Sequence, residues 1–366
     1  MSGTSASTTP SSAVTDLDLP PTPLDRMQGA LLGVHAGDSL GATCEFMSHD
    51  TLKAKYPLGL RDIVGGGPFG FPPGHATDDT DLTRAVLLAY LDLARIRSAG
   101  GEDPDMAKVA GGYMVDWLLG NNWPERRPGT SPHDVGGATL TGLQNFQESG
   151  WNPKGCGAGP GQAGNGSLMR CIPTGLFESD EAKLIRDSMA ISAVTHDDIR
   201  CTVSCAAYNI MVKALVDGKS PDEAVDAGLQ VARRLDDTKS PYSVADAIEL
   251  GRRLSIAQMA ERGPRELAGK GQGYVLESLT IAVAALLDER SLEDIIIDVV
   301  RIGKDTDTNA AIAGGLVGAR EGLQAVPERW RRKLQFGEDF VQIARLIVTT
   351  LASVARRNSE GGETLV

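Results

Sequence analysis

Apolar residues recur at helical spacing through most of this chain. Met27, Leu31 and Val34 share one face at i, i+3 and i+4 intervals, and Leu82, Val86, Ala89, Leu93 and Ile96 repeat the pattern. The same period predicts helices over 106–119, 181–194, 200–216, 221–235, 243–254, 273–287, 292–302, 308–322 and 340–356. The run IIIDVV (Ile295 to Val300) has strand composition, but Ser291 and Asp294 form a capping-box pattern before it. Gly303 then supplies a stop, so helix is the reading there. No β-α-β alternation and no regular repeat appears. Glycine- and proline-rich loops join the helices, the longest irregular stretches being 57–77, 120–136 and 150–166. Long irregular loops inside a domain usually carry function. The expected architecture is one compact, all-α, multi-helix domain over 24–357. A Ser/Thr/Ala/Pro-rich, disordered tail over 1–23 precedes it, and a frayed tail over 358–366 follows.

Composition narrows the partners. The net charge is −12, from 48 acidic and 36 basic residues, which disfavours a nucleic-acid or anionic-membrane partner. There is no run of 18 apolar residues and no signal-peptide pattern, so no membrane span is expected. Five cysteines, an odd number with no C-x-x-C, read as reduced thiols and a cytoplasmic protein.

The chemistry concentrates at two acidic helix starts. In TDDTDLTRAV, Thr77, Asp78, Asp79 and Thr80 stand where a helix begins, and in KDTDT, Asp305, Asp307 and Thr308 do the same. Capping explains one acid at each start. Several together repel unless something positive joins them. Carboxylates with threonine hydroxyls form an all-oxygen donor set suited to Mg²⁺, Mn²⁺ or Ca²⁺ rather than zinc, and neither stretch has EF-hand spacing. Two such clusters facing each other could hold two metals.

Other motifs are weaker alone. GVHAGDSLGATCEF places Asp38 and Glu45 near close-packing glycines. GAGPGQAGNGSLMR is a glycine-rich loop of the kind that turns N–H groups toward phosphate, without a Walker lysine. SAVTHDD contains His196, a cap or core residue by default and otherwise a phosphate donor. Tyr274 stands at a helix start behind glycines.

Taken in order, GALLGVHAGDSLGATCEF, PGHATDDTDLTRAV, GNGSLMR, VTHDD, GQGYVLESL and GKDTDTNAAIAGGLVGA resemble the ADP-ribosylglycohydrolase family over roughly residues 24–324. The resemblance implies an all-helical fold with a binuclear Mg²⁺ (or Mn²⁺) cleft. It implies hydrolysis of ADP-ribose from a modified protein side chain, such as arginine or serine, or from another ADP-ribosyl conjugate, with ADP-ribose as product. By position, Thr77, Asp78, Asp79, Asp305, Asp307 and Thr308 match metal ligands. Glu45, Asp79 and Asp307 are the candidates for general acid or base. Gly164, Asn165, Gly166 and Ser167 match the pyrophosphate loop, and His196 and Tyr274 match substrate contacts. Lys304, His75 and the region 120–161 depart from the family pattern, and acceptor choice is expected to differ there. The alternatives are a non-catalytic ADP-ribose-binding protein and a structural, crystallin-like homologue. The first would bind without release, and the second would tolerate loss of the acids.

Overall fold

The computed structural model describes residues 20–236 and 243–362, the last five by backbone alone. Among them the helices are α1 (Pro23–Gly41), α2 (His49–Lys55), α3 (Asp78–Ser98), α4 (Met106–Leu119), α5 (Gly137–Glu148), α6 (Ile172–Phe177), α7 (Glu181–Ala193) and α8 (Ile199–Val216). They continue as α9 (Pro221–Leu235), α10 (Val244–Gly251), α11 (Ile256–Arg262), α12 (Val275–Leu286), α13 (Leu292–Ile302), α14 (Thr306–Glu321), α15 (Glu328–Arg331) and α16 (Gly337–Gly362). Pairing of extended backbone is limited, among these residues, to isolated bridges between Gly66 and Phe71 and between Gly164 and Tyr274. The all-α expectation holds.

Glycine decides how the centre is built. Gly29, Gly33, Gly37 and Gly41 recur every fourth residue along one face of α1. Opposite them on antiparallel α14 lie Gly322, Gly314, Ala310 and Asp307 in turn. A Cβ on any of the four glycines would drive into that backbone. Two helices can approach this closely only where neither carries a side chain at the contact. Both are consequently buried on almost every side: α1 from Gln28 to Gly41 and α14 from Thr306 to Ala319. Thr306 Oγ1 donates to Gly41 O at 2.7 Å and fastens the end of α1 to the start of α14. Helices α8, α12 and α13 surround α14, while α3 and α16 flank α1.

Local signals explain most element ends. Thr22 and Asp25 form a capping box before Pro23, as do Ser220 and Glu223 before α9. Ser291 caps α13 through the Asp294 N–H, so IIIDVV is helical as expected. The predicted loops 57–77, 120–136 and 150–166 lie between helices, whereas α2, α5, α6, α11 and α15 are additions to the expected list. Each is short or glycine-led. α5 starts at Gly136–Gly137 with no side-chain cap, and Gly142 in its middle lets it lie against Val194 and Thr195. Helix α8 is long and apolar enough to cross a membrane, but 78% of it is buried within the fold, so it reads as a core helix. Residues 1–19 and 363–366 of the two expected tails lie outside the described residues, and the backbone of α16 continues to Gly362, past the expected end at 356.

The glycine contact makes a paired prediction. Gly33→Ala forces a methyl into the α14 backbone and should destabilise the chain by about 3 kcal/mol or more. Gly112→Ala, in α4 with nothing within 4 Å of the added Cβ, should be neutral or stabilise by about 0.5–1 kcal/mol. Denaturant unfolding of the two variants checks this, and equal effects would contradict the proposed role of the glycines.

Candidate active site and metal centre

The two acidic stretches meet. Thr308 Oγ1 lies 3.4 Å from Asp79 Oδ2, linking α14 to α3 across the chain. The meeting follows from the fold, because the end of α1 touches the start of α14 and α3 begins beside both.

Capping does not account for these acids. Thr77 is the N-cap of α3, and its Oγ1 accepts from Asp79 N at 3.3 Å. Asp38, from α1, completes the cap with Oδ2, which accepts from Thr77 N at 3.1 Å, from Thr80 N at 3.2 Å and from the Thr80 hydroxyl. Asp78 and Asp79 are thereby released from that task. At α14, Asp305 holds the N-cap position without making a side-chain cap. Its Oδ2 instead accepts from Asn165 Nδ2 at 2.7 Å.

Of the five carboxylate oxygens among the described residues that are buried without a hydrogen bond, four gather here: Asp38 Oδ1, Glu45 Oε2, Asp79 Oδ1 and Asp307 Oδ1. Carboxylate atoms of Glu45, Asp134 and Asp307 lie within 4.8 Å of one another. Two full charges at that distance repel by about 3 kcal/mol at an effective dielectric near 20. A cap contributes only about 1 kcal/mol, so helix-start preferences cannot offset the cluster. Protonation or a cation can. Burial, then Asp134, raises Asp78 to about 7, and burial, again with Asp134, raises Glu45 to about 8. Burial, then Asp38, brings Asp134 to about 6. Asp38 reaches about 7 through burial, against the hydrogen bonds from Thr80 and Thr77. Burial pushes Asp79 and Asp307 well above the carboxylate range, with Asp38 and Asp79 respectively adding to the effect. Asp305 is raised by burial and eased by Asn165. This hard-oxygen set with orphaned lone pairs suits divalent cations.

A cavity of about 340 Å³ opens over the acids. Glu45, Asp78, Asp134, Asp305, Asp307 and Thr308 line it together with Gly164, Gly166, His196 and the first turn of α5. The leading N–H groups of α5 have no side-chain cap, which leaves a positive helix end facing the cavity. His196 is buried beside the glycines, and burial, then Arg170, lowers it to about 3, so it is neutral. Its Nδ1 lies 2.7 Å from Thr195 Oγ1, which itself accepts from Arg170 Nη2 at 2.6 Å. With Thr195 donating to Nδ1, the neutral ring carries its hydrogen on Nε2, on the side facing Gly164 and Gly166. Asp197 and Asp198 hold the preceding loop by accepting from Gly159 N at 2.8 Å and Gly161 N at 2.7 Å.

Not every expected residue reaches this cavity. Asn165 borders it, but its amide is committed to Asp305 and to Ser278 Oγ at 2.9 Å. Ser167 Oγ accepts from Ser192 at 2.9 Å and is buried away from the lining. Tyr274 faces a separate cavity, with Arg200 5.7 Å above its ring. Thr77 and Asp79 sit below the lining as cap and deep acid. Conversely, Asp134 enters the centre unannounced. It stands in a long loop with no periodicity around it, and its one local signal is the following pair Gly136–Gly137, whose first N–H reaches Asp78 Oδ2 at 3.3 Å. Asp38 was visible as an acid beside glycines, though not as the outside cap of α3.

These raised carboxyls set a pH dependence. Each binds its proton more tightly folded than unfolded, where carboxyls titrate near pH 4. The stabilisation is complete below that value and is lost as pH rises through about 6 to 8. In EDTA the chain should therefore melt at a lower temperature at pH 8 than at pH 5.5. Mg²⁺ should restore more stability at pH 8, where it displaces fewer protons. Thermal melts at the two pH values, with and without Mg²⁺, check both signs.

Comparison with known proteins agrees with this architecture. Residues 19–359 match the family model for ADP-ribosylglycohydrolase. ADP-ribosylarginine hydrolase Tri1 of Serratia proteamaculans is 28% identical over 313 residues, covering 85% of this chain and 75% of that protein. The ADP-ribosyl-(dinitrogen reductase) glycohydrolase of Rhodospirillum rubrum is 28% identical over 311 residues, 85% of this chain and 90% of its own. ADP-ribosylhydrolase ARH3 of Homo sapiens is 26% identical, with 86% and 91% covered. A solved structure described as an ADP-ribosylglycohydrolase-related protein complex superposes with a TM-score of 0.69 at 26% identity, covering 90% of this chain and 98% of that one. With a family match across nearly the whole length and the acids of both motifs drawn into one cleft, this chain belongs to the ADP-ribosylglycohydrolase family and is a hydrolase of ADP-ribosyl conjugates.

Proposed function

We propose that the chain removes ADP-ribose from modified arginine by a reaction that depends on divalent cations, Mg²⁺ in the first place and Mn²⁺ as a substitute. The observation that carries the cation dependence is the set of four buried carboxylate oxygens without protein donors. The choice of arginine draws on relatives described as ADP-ribosylarginine hydrolases. The five unpaired cysteines fit the cytoplasm.

In this reading Asp78, Asp79, Asp305, Asp307 and Thr308 hold two cations, with Asp134 joining them and Thr77 supporting the set. The cations would supply positive charge that keeps the carboxylates ionised and polarises the ribose hydroxyls and a water. The remaining work falls to the chain. The α5 N-terminus, the Gly164 and Gly166 backbone and His196 Nε2–H receive the pyrophosphate, Asn165 fixes Asp305, and Asp38 fixes the start of α3. Water attacks the anomeric carbon, the bond to the guanidinium nitrogen breaks, and the departing nitrogen takes up a proton. Glu45 and Asp307, which line the cavity, are the candidates to accept the water's proton, with Asp79 behind them.

Purified chain incubated with ADP-ribosylarginine should release free ADP-ribose with Mg²⁺ and none in EDTA, and adding Mg²⁺ back should restore release. Tight ADP-ribose binding without release under any divalent cation would overturn the enzyme reading for this substrate. Asp134→Asn should cut kcat/KM by about 100-fold or more. The same change removes one repelling charge, so it should raise the melting temperature in EDTA at pH 8. A loss of both activity and stability would assign Asp134 to packing instead.

A further inference from the structure

Two residues beside the acids adopt a backbone conformation that side chains disfavour. Phe46 (φ 65°) follows Glu45, and Lys304 (φ 70°) precedes Asp305. A left-handed conformation costs about 1 kcal/mol or more at a residue with a Cβ. They hold each other: Phe46 N donates to Lys304 O at 2.7 Å, and Lys304 N donates to Met47 O at 2.7 Å. Of six left-handed residues with a Cβ among the described residues, these two adjoin the acids, and strain kept next to a reaction centre points to a role for the side chains it presents.

Those side chains share a wall. Phe46, Lys304, Gln272, Gly273 and Asp305 line an open pocket of about 490 Å³. Phe46 and Asp305 also line the acidic cavity, so the two spaces adjoin at the carboxylates. Gly164 and His196 border the acidic cavity and not this one, whose Gly273 accepts from Asn165 N at 3.1 Å. Phe46 is 64% exposed, with one edge toward Phe69 at 6.5 Å and 70°. The Lys304 ammonium makes no hydrogen bond or ion pair with any described residue, in a chain with 12 more acidic than basic residues.

On the proposed function, ADP-ribose occupies the acidic cavity, and whatever it is attached to leaves through an adjoining space, here the one that shares Phe46 and Asp305 with it. We infer that this second cavity is the acceptor subsite: the Phe46 ring packs on the modified side chain, and Lys304 selects acceptor segments with a carboxylate next to the modified residue. An aromatic face suits a guanidinium and its methylenes. An unpaired ammonium at the rim suits an anion and opposes a second cation. The inference rests on the hydrolase reading above.

The test uses two ADP-ribosylarginine peptides that differ only in a glutamate or a lysine beside the modified arginine, with free ADP-ribosylarginine as a third substrate. Wild type should favour the glutamate peptide by about tenfold in kcat/KM, and the preference should shrink in 0.5 M salt, on the order of 4 Å of screening length. Lys304→Gly keeps the left-handed turn without strain and should erase the preference. Lys304→Glu should reverse it. Phe46→Asn, which also tolerates that turn, should raise KM for both peptides. ADP-ribose, which has no acceptor, should bind wild type and the two Lys304 variants alike. Equal rates for the two peptides, or a preference that survives Lys304→Gly, would overturn the subsite. Failure to release ADP-ribose even from free ADP-ribosylarginine would instead overturn the hydrolase reading, and the subsite with it.

Discussion

The structure depends on one close approach, the backbone of α1 lying against the backbone of α14 through glycines spaced four apart. Ordinary side chains would hold two helices farther apart and let them choose among several crossing angles. Here a single register satisfies all the contacts. Gly41 ends against Asp307, and so the loop carrying Glu45 is delivered to the loop carrying Asp305. The reactive end of the molecule is therefore positioned by the parts of it with the least chemistry.

That rigidity has a purpose in electrostatics. A flexible site could relieve crowded carboxylates by swinging them apart into water. Asp38, Asp79 and Asp307 are buried on helices fixed by backbone contact, so their repulsion stays in the folded state and is answered by protons or cations. The chain gives up stability at neutral pH and gains a strong, selective appetite for positive charge. Asn165 and Thr80 show the accompanying economy: each satisfies one lone pair of an acid and leaves another facing the cleft.

How much of this was legible in the sequence depended on the range of the signal. Helices of about three to six turns with repeated apolar faces, such as α3, α4, α9 and α13, could be read directly, because periodicity and caps agree there. α5 could not, since its start is two glycines and its buried positions (Thr139, Gly142, Leu143, Phe146) include little that is strongly apolar at its N-terminal end. The two acidic stretches announced themselves through local excess of charge. Asp134 did not, because a single acid in a loop gains meaning only from what lies across from it. The family resemblance supplied the pairing of the motifs, which periodicity alone left open. It also grouped Ser167 and Tyr274 with the substrate contacts, whereas the fold turns one toward Ser192 and the other toward Arg200.

The pairing of α1 with α14 also has a consequence in time. The hydroxyl of Thr306 closes on the carbonyl of Gly41 across 265 positions, so α1 waits for α14 before their shared face is covered. Contacts of such long range make folding slow. The acids of α3 likewise meet the second set only once α14 is in place. A chain stopped before α14 is then not a weakened enzyme but an unassembled one.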